Sequence, residues 1–141
     1  MVSVDEFEKM ASVDSDTLYL FNFWATWCKP CIEEMPYFER LAEEMKEEKF
    51  KIVFVSIDKP KQLDKVQRFT EEKQLKSEVV LMDVGKPDVT IPRIDKSWDG
   101  TIPATLFVDN LNKTRLFYQR EFSFEELKAI VVPLLPMPIV E

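Results

Sequence analysis

The chain has 141 residues, of which 45% are hydrophobic and 32% are charged, as is ordinary for a single globular domain, here residues 1–141. Its formal net charge of −7 argues against nucleic acid as a partner, and no apolar stretch approaches membrane-spanning length. Histidine is absent, which excludes catalysis by Ser/His or Cys/His pairs.

The first half of the chain alternates between helical and strand patterns. The nearly continuous apolar run at residues 17–24 predicts a strand that is buried on both faces, as in sheets flanked by helices. Residues 29–48 have an apolar arc at helical spacing, and Pro36 should kink that helix. Further predicted elements are a helix at 3–11, a strand at 50–57 and a helix at 62–75.

The second half predicts a short strand at residues 78–82 and then an irregular stretch, 83–100, with at most one short helical piece. Two strands follow at 106–109 and 115–118, with a turn between them. A last helix at 123–132 begins with a capping box of Ser123 and Glu126. We expect it to be ended by prolines, namely Pro133, Pro136 and Pro138. The order predicts an α/β fold, a mixed central β-sheet with helices on both faces.

The two cysteines, Cys28 and Cys31, stand where the first strand gives way to the long helix. The first thiol is therefore predicted at a helix N-terminus, where free backbone N–H groups and the helix dipole favour the reactive thiolate. Pro30 suits the first helical turn, and Cys31 lies about one turn inward. We interpret Cys28 as an exposed nucleophile and Cys31 as the thiol that resolves its mixed disulfide. The alternative is a pair of buried, reduced cysteines without chemistry.

The fifteen-residue run from Asn22 to Pro36, NFWATWCKPCIEEMP, resembles the active site of the TlpA/ResA-like thiol–disulfide oxidoreductases of the thioredoxin superfamily. The resemblance implies a thioredoxin fold and reduction of protein disulfides. It implies no cofactor other than a redox-active disulfide between Cys28 and Cys31. A thioredoxin-fold binding module with structural or regulatory cysteines is the alternative function.

A second match to the same family is the sequence Thr-Ile-Pro-Ala-Thr at residues 101–105. The resemblance implies that Pro103 follows a cis peptide bond, faces the dithiol, and leaves the backbone of Ile102 free to pair with a substrate chain. Trp27, Lys29 and Pro30 complete the predicted substrate-binding surface. An ordinary trans proline at a strand start is the alternative for Pro103.

Glu34 departs from the polar pattern of its helix, because it projects into the apolar arc one turn below Cys31. A buried carboxylate is costly, so its pKa should rise toward neutrality and it could accept the proton of Cys31. Asn22 stands where many thioredoxins have a buried aspartate, and an amide does not titrate in this range. A glutamate that bends to solvent is the alternative.

The expected partners are protein thiols and disulfides together with an upstream electron donor, and we expect a monomer. No metal is expected, because two cysteines supply only half of a tetrahedral site; a zinc ion shared across a dimer is left open. A thiol peroxidase would need a threonine where Ala25 stands. The family usually works outside the cytoplasm, so we expect an extracytoplasmic bacterial protein whose leader was removed, with a cytoplasmic protein as the alternative.

Overall fold

The computed structural model describes residues 1–136. The helices are α1 (Val4–Ala11), α2 (Lys29–Glu44), α3 (Leu63–Glu72), α4 (Pro87–Ile94) and α5 (Phe124–Leu134). The strands are β1 (Leu18–Trp24), β2 (Phe50–Ser56), β3 (Glu78–Leu81), β4 (Ala104–Asp109) and β5 (Thr114–Tyr118). A 3-10 turn, Pro60–Gln62, precedes α3. Across these residues no helix is both long enough and apolar enough to cross a bilayer.

The strands of residues 1–136 form one mixed sheet in the order β3-β2-β1-β4-β5, which confirms the predicted fold class. β1 lies at the centre, parallel to β2 and antiparallel to β4. β3 continues the parallel side, and β5 closes the other side as an antiparallel hairpin with β4. Every residue of β1 except Tyr19 is buried, which accounts for its nearly continuous apolar sequence.

Helices cover both faces of the sheet, as the sequence predicts. On one face, α2, α3 and α5 surround a first core that contains Phe38 and both cysteines. On the other face, α1 and α4 surround a second core that contains Phe7. The ring centroid of Phe7 lies 4.9 Å from that of Phe21 and 5.5 Å from that of Phe23, so α1 is anchored directly on β1.

Two helices end before their predicted limits. α2 ends at Glu44, four residues short of the predicted end at Glu48. Its last turn has no basic residue, and the acidic side chains that follow are disfavoured near the negative end of the helix dipole. α3 ends at Glu72 rather than at Leu75, because the backbone turns into the left-handed region at Gln74, where φ is 52°.

Prolines interrupt the helices less than the sequence predicts. α2, α4 and α5 continue through Pro36, Pro92 and Pro133, respectively, so the predicted stop at Pro133 is wrong. A proline removes one hydrogen bond from a helix, whereas each of these helices keeps a buried apolar face against the core. Pro136 does follow the end of α5, Pro138 lies outside the described residues, and the kink at Pro36 stays a prediction.

The N-terminal segment adds to the edge of the sheet. The Val2 N–H donates to the Leu81 carbonyl at 2.8 Å, and the Val2 carbonyl accepts from the Asp83 N–H at 2.9 Å. These bonds form an isolated parallel bridge between Val2 and Met82. Ser3 then caps α1 in a capping box with Glu6, so the segment passes directly from sheet edge to helix.

We expect Phe7→Ala to lower the free energy of unfolding by about 3–5 kcal/mol, because it empties a fully buried aromatic site between α1 and β1. Urea unfolding measures this directly. Val13→Ala is the control, since Val13 is 43% exposed and its truncation should change the same quantity by less than about 0.5 kcal/mol. Equal effects of the two substitutions would mean that α1 is not part of the cooperative core.

Candidate active site

Cys28 and Cys31 form a disulfide at the N-terminus of α2, with their Cα atoms 5.3 Å apart. Cys28 is the N-cap residue, and its Sγ accepts a hydrogen bond from the Cys31 N–H at 3.3 Å. The predicted exposure of Cys28 is wrong: 5% of the residue is accessible, against none of Cys31. The reason is that Sγ folds back over the first turn of α2 and joins the first core.

A tight turn joins β1 to the disulfide. The Cys28 N–H donates to the Ala25 carbonyl at 3.0 Å, which leaves Thr26 and Trp27 at the two middle positions of the turn. Thr26 is held from the end of β2: its N–H and its hydroxyl donate to the Asp58 carboxylate at 3.0 Å and 2.6 Å. The sequence predicts a strand at 50–57, immediately before Asp58, and nothing local in the sequence pairs Asp58 with Thr26.

The predicted surface residues beside the disulfide are accessible. Trp27 is 66% exposed, and the Lys29 side chain is 87% exposed, 3.9 Å from the Glu33 carboxylate. Pro30 lies in the first turn of α2 and is half-buried. The ion pair of Lys29 is too exposed to bias the thiols strongly, so the helix N-terminus is the main source of positive potential at Cys28.

The peptide bond between Ile102 and Pro103 is cis, as predicted. β4 pairs with β1 as far as Ala104, which lies opposite Phe23. Pro103 therefore immediately precedes β4 at the end of the sheet where β1 leads to Cys28. Ile102 is half-buried, and among the residues that the structure describes neither its N–H nor its carbonyl has a hydrogen-bond partner. A backbone with both groups free can pair with an extended chain.

Glu34 is buried at 1% exposure, on the same helix as Cys31 and one turn further along. Its carboxylate accepts from the Phe122 N–H at 2.9 Å and from the Asn22 amide at 3.2 Å. Burial raises the pKa of Glu34 from near 4.5 to about 7, against the lowering effect of those two hydrogen bonds, and Glu121 raises it further. The predicted burial and the direction of the pKa shift are confirmed.

Asn22 takes part in the same buried network, which sequence reasoning did not predict. Its Nδ2 donates to Glu34 and, at 3.3 Å, to the Thr105 hydroxyl on β4. Its Oδ1 is buried and has no partner among the described residues. The contact arises because β1, β4 and α2 meet here from distant parts of the sequence, so no local pattern could have revealed it.

A groove of about 830 Å³ opens at the carboxyl edge of the parallel strands. Its walls come from Asp58 at the end of β2, from Asp83 after β3, from α4 and from Trp98. Asp58 therefore lines this groove and also contacts the turn that leads to Cys28. Among residues 1–136, no cluster of three or more Cys, Asp or Glu side chains suited to a metal ion occurs.

The mixed sheet and the dithiol at the N-terminus of α2 define a thioredoxin-like protein. A family model described as AhpC/TSA matches residues 5–116, and the chain belongs to that family. The crystal structure of a secreted disulfide oxidoreductase of Mycobacterium tuberculosis superposes with a TM-score of 0.64 at 20% identity, covering 84% of this chain and 83% of that one. This likeness shows the shared fold.

Two relatives are both named thiol-disulfide oxidoreductase ResA, in line with the resemblance of the sequence motif. The protein from Geobacillus thermodenitrificans is 28% identical over 115 residues, or 82% of this chain and 62% of the relative. The protein from Halalkalibacterium halodurans is 33% identical over 115 residues, or 79% of this chain and 61% of the relative. The chain thus spans less than two thirds of the length of each relative.

We expect the oxidised protein to lose stability as pH rises from about 4.5 to about 7. Folded Glu34 keeps its proton up to about pH 7, whereas unfolded Glu34 releases it near 4.5, so raising the pH in this window favours unfolding. The loss should approach about 3 kcal/mol and then level off. Urea unfolding across this pH range measures it.

Glu34→Gln should not show this pH-dependent loss of stability. The free energy of unfolding of the variant, compared with that of the native protein at the same pH, should therefore rise between about pH 4.5 and about pH 7. Glu33→Gln is the matched control, because Glu33 is the exposed neighbour on the same helix. A native protein with the same pH profile as Glu34→Gln would contradict the raised pKa.

Proposed function

We propose that this chain is a thiol–disulfide oxidoreductase that reduces disulfides in other proteins through Cys28 and Cys31. The observation that carries the proposal is the disulfide whose first sulfur caps the N-terminus of α2. A thiolate is favoured at that position, and a nearby second thiol allows the covalent intermediate to be resolved. The names of the two relatives support the same reaction class.

In the first step the Cys28 thiolate attacks one sulfur of the substrate disulfide. The sulfur–sulfur bond of the substrate breaks, one substrate thiolate leaves, and a mixed disulfide forms on Cys28. Trp27, Lys29 and Pro30 flank the attacking Cys28 in the sequence, and the free backbone groups of Ile102 can pair with the substrate chain. A short stretch of extended polypeptide is therefore the natural ligand of this surface.

In the second step Cys31 attacks Sγ of Cys28. The second substrate thiolate leaves, and the Cys28–Cys31 disulfide forms, so two electrons have passed to the substrate. Cys31 must lose its proton in this step, and the Glu34 carboxylate, with its pKa raised to about 7, is a suitable acceptor at neutral pH. One bridging water would suffice for the transfer.

The cycle requires an upstream dithiol donor that returns the disulfide to the reduced state. We place the protein outside the cytoplasm of a bacterium, as a monomer that acts on protein thiols and disulfides. The description of the Mycobacterium tuberculosis protein as secreted supports the location. No organic cofactor or metal takes part in the scheme.

We expect the native protein to accelerate the reduction of insulin by dithiothreitol, and Cys28→Ser to abolish the effect because the attacking thiolate is lost. Cys31→Ser should instead accumulate mixed disulfides, visible as mass additions that dithiothreitol removes. Val13→Ala is the control and should behave as the native protein. If the native protein did not accelerate insulin reduction and Cys31→Ser formed no mixed disulfides, the binding module with structural cysteines would be favoured.

We expect Glu34→Gln to slow the release of the mixed disulfide by at least about 100-fold, because the general base is lost. In the native protein the release rate should rise as pH passes about 7, where Glu34 loses its proton. Stopped-flow measurement with a preformed mixed disulfide gives both the rate and its pH profile.

The exposed neighbour again provides the control, since Glu33→Gln should keep the native rate and inflection. If Glu34→Gln showed the native rate and pH profile, the proton would pass directly to water and Glu34 would have no role in the step.

A further inference from the structure

Asp58 is a buried carboxylate just beyond β2 that the proposed reaction does not use. It is 3% exposed. Its Oδ1 accepts from the Thr26 hydroxyl at 2.6 Å, and its Oδ2 accepts from the Thr26 N–H at 3.0 Å and from the Ser56 hydroxyl at 2.6 Å. A buried carboxylate with three donors is held in one position, because each lost donor would leave part of its charge unsatisfied.

The position of Asp58 is fixed by the central sheet. β1 and β2 pair in parallel up to Trp24 opposite Ser56, and the Ile57 N–H donates to the Trp24 carbonyl at 2.8 Å. Asp58 therefore stands beside the point at which the chain leaves β1 for the cysteines. It holds Thr26 by both the backbone and the side chain, and no other hydrogen-bond partner of those two donors occurs among residues 1–136.

We propose that Asp58 is a positioning residue for the dithiol, and that it acts through Thr26. The turn closed by the Cys28 N–H and the Ala25 carbonyl has Thr26 at its second position. Because Asp58 holds Thr26 in place, it fixes the orientation of the turn and therefore the position of Cys28 at the N-cap of α2. The effect of Asp58 on catalysis rests on the proposed function. The redox equilibrium and the alkylation rate of Cys28, however, can be measured without any substrate.

The two redox states depend on this positioning to different degrees. In the oxidised structure the Cys28 sulfur accepts a hydrogen bond from the Cys31 N–H at 3.3 Å. A thiolate at the same position in the reduced protein would be a charged acceptor, and hydrogen bonds to charged groups are about twice as strong as neutral ones. In the oxidised protein the disulfide is uncharged and itself ties Cys28 to Cys31. A loosened turn therefore costs the reduced state more, and the equilibrium moves toward the disulfide.

The charged groups around the turn stay unchanged in a test that alters only the hydroxyl of Thr26. On α2 these are the exposed pair of Lys29 and Glu33 and the buried Glu34. The other charged groups that line the groove with Asp58 are Lys59 and Lys61 after β2, Asp83 after β3, Asp88 on α4 and Asp99 before β4. A change in Cys28 can then be assigned to the lost hydrogen bond.

The experiment compares Thr26→Val, Thr26→Ser and Ser56→Ala. Thr26→Val and Ser56→Ala each delete one hydroxyl that donates to Asp58 at 2.6 Å, but only the first lies in the turn. Thr26→Ser keeps the bond. For each variant, urea unfolding measures stability, equilibration with glutathione measures the redox equilibrium, and iodoacetamide at a fixed pH measures the rate of Cys28 alkylation in the reduced protein.

We expect Thr26→Val to move the redox equilibrium about tenfold toward the disulfide, or about 30 mV, and to slow the alkylation of Cys28. Thr26→Ser should match the native protein in both. Ser56→Ala should unfold at lower urea, as Thr26→Val does, but keep the native redox equilibrium and alkylation rate.

A native redox equilibrium and alkylation rate in folded Thr26→Val would overturn the proposal. So would an equal shift in Ser56→Ala, because the effect would then come from the buried charge rather than from the turn. Failure of the native protein to reduce insulin would overturn the proposed function but leave these measurements on Cys28 interpretable.

Discussion

The N-terminus of α2 is the constraint on which the site depends. A helix begins with backbone N–H groups that have no partner within the helix, and here a sulfur atom takes the N-cap position and accepts one of them. To cap the helix in this way, Cys28 must have an extended backbone conformation, and the turn that precedes it must have a fixed shape. The largely buried β1 and the carboxylate of Asp58, just beyond β2, hold that turn in place.

A second group of polar residues lies inside the first core, on α2 and β1. Glu34 and Asn22 lie in an otherwise apolar interior, where unpaired polar atoms are costly. Asn22 donates to Glu34 and to the Thr105 hydroxyl, and the Phe122 N–H donates to Glu34. These hydrogen bonds meet part of that cost, and the pKa of Glu34 is raised to about 7. An apolar side chain at this position would avoid that cost, so the buried Glu34 supports the proposed role in proton transfer.

Much of the fold follows from local sequence. The continuous apolar run of β1, the helical pattern at residues 3–11, the capping box at Ser123 and the helical arc through Cys31 each predict the start of an element within one residue of its observed position. Helix ends were predicted less well. Pro133 does not stop α5 and Glu48 does not belong to α2, because burial of an apolar face and the helix dipole outweigh local propensity at helix ends.

The sequence by itself determined the dithiol, its place at a helix start, and the presence of a carboxyl in the apolar arc one turn later, since all three depend on spacing along a single element. Only the tertiary structure decided which groups surround them. Asn22 reaches Glu34, and Asp58 reaches Thr26, across 12 and 32 residues of sequence, through the pairing of strands and the docking of α2. The low exposure of Cys28 likewise depends on the core beneath it, because burial is a property of everything that packs against a residue.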